Sequence, residues 1–142
     1  MNNIINRMTN FLKAQNIKYL INDDETKITL AYIYRKKQED ARVILFIQKS
    51  VDCDEVEMGF VEKISGSIKL EDALEKLLVL NNRLKVGKIG LADEEDKNLV
   101  FSIHFPIDDS LSAKLYQDKL EICLGVHSML LDDKIIDNSS AL

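Results

Sequence analysis

Proline and glycine are scarce in this chain of 142 residues, which contains one proline and five glycines. Segments that join separate domains are commonly rich in these residues, and no such segment interrupts the sequence. No pattern repeats at an interval of tens of residues either. The sequence therefore predicts one domain, residues 1–142, of a common size for a single hydrophobic core.

Only two cysteines and two histidines are present. Cys53 and Cys123 are too few for a disulfide framework and form no CxxC pair, so we expect free thiols in a reducing cytosol. His104 and His127 lie far apart and outside the HxH and HxxxH spacings of zinc sites. The chain also lacks Walker, GxGxxG and GxSxG motifs. We therefore predict no catalytic residues, no cofactor and no metal, and no enzyme activity.

The most acidic stretch, residues 93–96, is the natural place to look for a cation site. An EF-hand loop beginning there needs a glycine at its sixth position and a glutamate at its twelfth. The sequence has Asn98 and His104 at those positions. We interpret this stretch as a solvated hairpin turn.

Positive charge is in the minority, since the formal net charge is −5 and the isoelectric point about 5.1. A negative chain repels phosphate backbones and anionic lipid surfaces. No apolar run is long enough to span a bilayer, and residues 1–20 lack the basic-then-apolar layout of a signal peptide. We expect a cytoplasmic protein with no nucleic-acid or membrane partner.

Apolar periodicity, by contrast, is abundant. Helical spacing marks 3–14 and 68–84 and continues in a last helix to about Leu131. β-Branched and aromatic residues dominate several extended runs, whose short polar connections favour an antiparallel meander followed by a hairpin. These runs are 17–21, 27–35 and 42–49, a short strand within 51–66, and the pair "GKIGLA" and "LVFSIHF".

The element order is α-β-β-β-(β)-α-β-β-α, which predicts an α+β fold with an antiparallel sheet. Leu77 and Phe101 are central in their apolar patterns and are expected in the core. Asn81 stands at the end of a helix, and we favour a bond to the backbone of the following strand over a ligand amide. The tail, residues 134–142, is expected to fray.

The first three extended runs are apolar at alternate positions on both faces, unlike a sheet with one solvated face. Helices can cover one face, and the other needs a subunit, a peptide or the chain's own helices. We therefore predict a homodimer and a partner-binding groove. The candidate groove residues are Phe11, Leu20, Tyr32 and Tyr34. The candidate dimer residues are Leu80, Leu84, Val100 and His104.

The central stretch also resembles a known family. Leu77, Leu78 and Asn81 form an L-L-x-x-N helix end, and Gly87, Lys88 and the acidic turn 93–96 follow as in YbjN-like proteins. Ile89 replaces the usual aromatic residue. The resemblance covers about residues 70–125 and implies the fold of type III secretion chaperones, often homodimeric, cytoplasmic and without catalytic residues.

We thus expect a non-enzymatic module, chaperone-like or regulatory, that holds an apolar or extended segment of another protein. One alternative is a dedicated type III secretion chaperone. The other is a small-ligand-binding protein or enzyme, which a deep pocket with convergent polar groups would favour.

Overall fold

The structure of the protein, a computed structural model, describes residues 3–51, 53–93, 95–106 and 111–138. Three helices and six strands follow one another in the order that the sequence predicts, with the strand expected within 51–66 present. The elements are α1 (Asn3–Ala14), β1 (Leu20–Ile21), β2 (Lys27–Lys36), β3 (Glu39–Lys49), β4 (Glu55–Lys63), α2 (Leu70–Arg83), β5 (Lys88–Asp93), β6 (Asn98–Pro106) and α3 (Ala113–Asp132).

All neighbouring strands are antiparallel, and the sheet order is β1-β2-β3-β4-β6-β5. The predicted α+β class, meander and hairpin are therefore confirmed. Most boundaries agree within two residues, and two differ from the prediction by three. Only Leu20 and Ile21 of the run 17–21 pair as a strand, and the β2–β3 connection shrinks to Lys37 and Gln38 because β3 begins at Glu39.

One face of the sheet forms the core together with all three helices. Inward side chains alternate along the strands, as in Leu99, Phe101 and Ile103, all fully buried. Buried residues of α1, α2 and α3 belong to the same apolar cluster. Leu77 and Phe101 lie in this core, as predicted.

Two helix ends close with the same backbone motif. Asn16 follows α1 with φ 58°, its N–H bonds to the carbonyl of Lys13, and the N–H of Ile17 bonds to that of Leu12. Lys134 follows α3 with φ 59° and the corresponding pair of bonds. This is a Schellman motif, which satisfies free carbonyls and turns the chain sharply.

The turn at Lys134 corrects the expected tail. It directs Ile135 and Ile136 into the core, where both are buried, and Ile135 accepts a hydrogen bond from Ser65. The chain is therefore packed as far as Asn138 rather than frayed from Lys134. Residues 139–142 lie outside the described part.

Two strand connections depend on glycine or on a side-chain amide. Gly87 has φ 79°, and a Cβ there would lie 2.6 Å from Ile103 Cγ2, so the close approach of β5 to β6 requires glycine. The Asn81 amide donates to the carbonyl of Ile89 at 2.6 Å and accepts from its N–H at 2.8 Å. This confirms the structural interpretation of Asn81.

Candidate functional site

The described helices leave the other face of the sheet uncovered, and we call it the open face. Ala31 pairs with Ile44 across β2 and β3, and Val61 pairs with Val100 across β4 and β6. Because Leu45 pairs with Phe60, Ile44 comes next to Val61. These side chains form an apolar row across four strands.

Several members of this face are well exposed. Ile44 and Val61 each expose 50% of their surface, Ile33 exposes 68% and Leu20 exposes 74%. A solvated sheet face normally carries polar residues at these outward positions. The sequence expectation that both faces are apolar therefore holds for the structure, in which the described helices cover only one of them.

Phe46 also points outward, but it is only 8% exposed. It pairs with Gly59 of β4, where a Cβ would lie 1.9 Å from the backbone oxygen of Phe101. The ammonium of Lys27 lies 5.6 Å from the ring centroid, within cation–π range. The ring thus forms part of the floor of the open face.

A groove of about 690 Å³ lies at the β1 end of the open face, and we call it the edge groove. It forms where the chain leaves α1 and crosses the sheet edge into the short strand β1. Its lining is mainly apolar, with two cationic side chains: Ile17, Lys18, Tyr19, Leu20, Thr29, Ala31, Arg42 and Ile44.

The predicted groove residues divide between the two sides of the sheet. Leu20 lines the edge groove, whereas Tyr32 and Tyr34 point to the helix side and are half-buried. The Tyr32 hydroxyl is hydrogen-bonded to that of Tyr116, and the rings of Phe11 and Tyr116 lie 5.6 Å apart. Phe11 and Tyr32 are thus brought together by α3, and Leu20 is separate from them.

A series of hydrogen-bonded polar side chains lies buried beneath α3, and the sequence analysis did not predict it. His127 is 1% exposed, its Nε2 lies 2.9 Å from Glu62 Oε1, and its Nδ1 lies 2.7 Å from the Tyr34 hydroxyl. A carboxylate oxygen only accepts, so Nε2 donates to Glu62, while Nδ1 and the Tyr34 hydroxyl form the second hydrogen bond of the ring. The readable signal was Glu62, a charged residue at an inward strand position opposite Leu99.

The Tyr34 phenol, a member of this hydrogen-bonded series, is not activated for nucleophilic chemistry. Burial, with the negative charges of Glu62 and Asp132, raises the pKa of Tyr34 to about 12. Tyr34 therefore keeps its proton at neutral pH and acts as a donor. Among the described residues, no buried side-chain nitrogen or oxygen lacks a hydrogen-bond partner. These polar groups satisfy one another and do not point at an empty site.

The candidate dimer residues occupy three places. Leu80 is 2% exposed and packs in the core of its own chain, so it must be removed from the predicted interface. Leu84 is half-buried at the end of α2, and Val100 and His104 lie on the open face. These three stay predictions. The exposed apolar residues of α2 are instead Leu74, Leu78 and Val79, which we call the α2 ridge.

The cysteines and the acidic turn show their own arrangements. Both cysteines are free; Cys53 is exposed and Cys123 buried, and burial raises the pKa of Cys123 to about 12.

In the acidic turn, Asp93 Oδ1 accepts hydrogen bonds from the backbone N–H of Glu95 at 2.9 Å and of Asp96 at 3.4 Å, which closes the turn on itself. Glu94 lies outside the described residues. Where side chains are described, no group of three potential metal ligands occurs.

None of the helices in the described ranges is long and apolar enough to cross a membrane. No protein-family model matches the chain, and neither the curated proteins nor the solved structures provide a significant match.

Proposed function

We propose that this chain is a non-enzymatic protein-binding module whose open face holds an apolar, extended segment of another protein. The observation that carries the proposal is the apolar row, Ala31, Ile44, Val61 and Val100, with exposed Leu20 and Ile33 beside it. Contiguous exposed apolar surface of this kind marks interaction sites in soluble domains.

The geometry of the sheet favours an extended partner. The short strand β1 is at the edge of the sheet, and its far side pairs with no other strand of the described chain. An edge of this kind offers backbone donors and acceptors to an added strand, while apolar pockets select side chains. We place the partner on the open face because the hydroxyls of Tyr32 and Tyr34 are already bonded within the fold.

The resemblance to YbjN-like proteins and to type III secretion chaperones points in the same direction. The element order agrees with that resemblance, and a chaperone-like or regulatory role in the cytoplasm suits a small acidic domain. A dedicated secretion chaperone is the narrower form of the same proposal. The absence of enzyme activity remains part of the proposal.

A homodimer completes the proposal, and α2 is the element that we assign to it. Leu74 and Leu78 are one helical turn apart, and Leu78 is 64% exposed. The first turn of α2 is acidic, with Glu71 and Asp72, and its last turn carries Arg83. Two antiparallel copies of α2 would therefore bring acidic and basic ends together around the α2 ridge.

The proposed function is tested by comparative capture. The wild-type chain and a variant with Ile33→Asp and Ile44→Asp are immobilised, and proteins retained from an extract of the source cells are quantified by mass spectrometry. We expect a defined set of proteins to lose at least about tenfold in enrichment, because a buried unpaired carboxylate costs more than one factor of ten in affinity.

Two controls accompany this comparison. Val51→Asp adds a carboxylate at a residue that is 88% exposed in a loop away from the open face, and it should retain the partners. Because aspartate disfavours strands, Ile33→Thr with Ile44→Thr provides a milder change that keeps strand preference. Circular dichroism checks that each variant is folded. Equal enrichment on the wild-type chain and both open-face variants would contradict the proposal.

A further inference from the structure

The edge groove differs in charge from the rest of the molecule. The chain has a net charge of −5, yet the charged side chains that line this groove are Lys18 and Arg42, both cationic. Asp23 and Asp24, beyond β1 in the turn to β2, do not line the groove; Asp40, two positions before Arg42, does not line it either and is paired with Arg35 at 3.1 Å. The groove is thus an exception in an acidic chain.

Neither cation is used within the fold. None of the ion pairs formed in the described part of the chain involves Lys18 or Arg42. Arg35 offers a contrast, because it also points out of the open face and forms an ion pair with Asp40 at 3.1 Å. Lys18 and Arg42 are therefore free to meet an anionic group brought by a partner.

The position of the two cations sets a spacing. Lys18 precedes β1 at the sheet edge, and Arg42 lies on β3, so Thr29 and Ala31 of β2 lie between the two chain segments. Neighbouring strands are about 4.8 Å apart, so the two chain segments are roughly 10 Å apart. An extended polypeptide covers that distance in about three residues.

We propose, on the basis of the proposed function, that the partner segment held in the edge groove has apolar residues flanked by acidic ones. Its apolar side chains lie against Leu20, Ala31 and Ile44, and its carboxylates pair with Lys18 and Arg42. Because alternate side chains of an extended chain share a face, the preferred arrangement is one acidic residue two positions before an apolar residue and one two positions after it.

The same charges argue against a second copy of this chain as the occupant. Two edge grooves packed on each other about a two-fold axis would bring the unpaired cations of one copy towards those of the other, and like charges in contact oppose association. The α2 ridge, which has an acidic and a basic end, suits a second copy better. A partner with acidic groups removes the repulsion and adds attraction.

The test uses defined peptides and the full-length protein. The probe is fluorescein-labelled Ser-Glu-Thr-Ile-Thr-Glu-Ser, in which both glutamates and the isoleucine share one face of an extended chain, and its matched control replaces both glutamates with glutamine. Affinities are measured by fluorescence anisotropy at low and at high salt, because salt screens exposed ion pairs. Amide shifts of the isotopically labelled protein locate the binding site.

The expected result is a preference for the glutamate peptide of about two- to fivefold for each ion pair formed, which decreases at high salt. Arg42→Gln should weaken the glutamate peptide about two- to fivefold and leave the glutamine peptide unchanged. Arg35→Gln is the matched control, since this arginine is on the same face but already paired. It should affect neither peptide.

The outcomes separate this inference from the proposed function. Equal affinity for both peptides at the edge groove, unaffected by Arg42→Gln, would overturn the acidic preference and leave the protein-binding function standing. If neither peptide shifts the amides of residues 17–20 and 42–44, the edge groove is not the binding site and the inference is wrong. The proposal that the open face binds partner proteins would then be tested only by the capture experiment with the Ile33 and Ile44 variants.

Discussion

Replacing Asn81 with alanine removes a clamp between α2 and β5. The side-chain amide forms two hydrogen bonds with the backbone of Ile89, and Ile89 is only 4% exposed. After the substitution, the N–H and C=O of Ile89 lose their partners in a region that water reaches only in part. Each backbone group left without a partner in a buried place costs about 1–3 kcal/mol.

Two such groups would together cost about 2–6 kcal/mol. Because Asn81 is partly exposed, we expect the lower part of that range, a loss of about 2–3 kcal/mol in the free energy of unfolding. Alanine favours helix more than asparagine by up to about 0.7 kcal/mol, which offsets part of the loss. Asn82→Ala is the matched control. It makes the same change at an exposed position next in the helix, so the difference between the variants isolates the clamp.

Urea denaturation followed by far-ultraviolet circular dichroism provides both free energies. Hydrogen exchange of the Ile89 amide provides a local check, since that N–H should exchange faster in Asn81→Ala and not in Asn82→Ala. A difference of less than about 0.5 kcal/mol between the variants, with the Ile89 amide still protected, would refute the assignment of Asn81 as a structural clamp.

Further predictions concern the core, the glycine turn and alkaline pH. Leu77→Ala and Phe101→Ala should each lower the free energy of unfolding by about 2–5 kcal/mol in urea melts, and less than about 0.5 kcal/mol for both would contradict the core assignment. Gly87→Ala should cost about 2–4 kcal/mol through positive φ and overlap with β6, whereas Gly90→Ala, where a Cβ meets nothing, should be neutral within about 1 kcal/mol. The pKa of Tyr34 is raised from 10.0 to about 12 in the fold, so the folded state holds that proton more tightly; its contribution is complete below pH 10 and is lost between about pH 10 and 12. Tyr34→Phe should therefore show a shallower loss of stability in that range, and an unchanged slope would argue against the assigned cause.

The strands and helices could be predicted because each has a clear period. In β6, the side chains of Leu99, Phe101 and Ile103 point inward and alternate with polar or smaller residues that point outward. Because successive side chains of a strand point to opposite faces, this pattern determines which face of the strand is buried. The helices have apolar residues every three or four positions. Such patterns are local, so a single sequence reveals them.

The ends of elements were harder to predict. The left-handed residue of the α1 end is Asn16, a type known to accept that conformation, but the corresponding residue of α3 is Lys134. Lysine provides no such signal, and the turn of the chain that buries Ile135 and Ile136 was therefore missed.

The candidate site was predicted only in part. That the first strands are apolar on both faces was readable, and it led to a binding face. The sequence did not show which residues share that face. Tyr34, for example, contacts His127, which is 93 positions away in sequence, and only the tertiary fold brings the two together. Leu20 was assigned to the partner surface and lies on the edge groove, while Leu80 was assigned to a dimer and lies in the core.

The most direct test of the central claim is site-specific photocrosslinking. A photoreactive phenylalanine is placed at Ile44 on the open face, at Leu78 on the α2 ridge, or at exposed Gln117 on α3 as a control, and crosslinked peptides are identified by mass spectrometry. We predict that position 44 captures extended apolar segments of other proteins, that position 78 captures a second copy of the chain, and that position 117 captures neither. Crosslinks from position 44 to a second copy only, or to other proteins from position 117 but not from 44, would contradict the open face as the partner-binding surface.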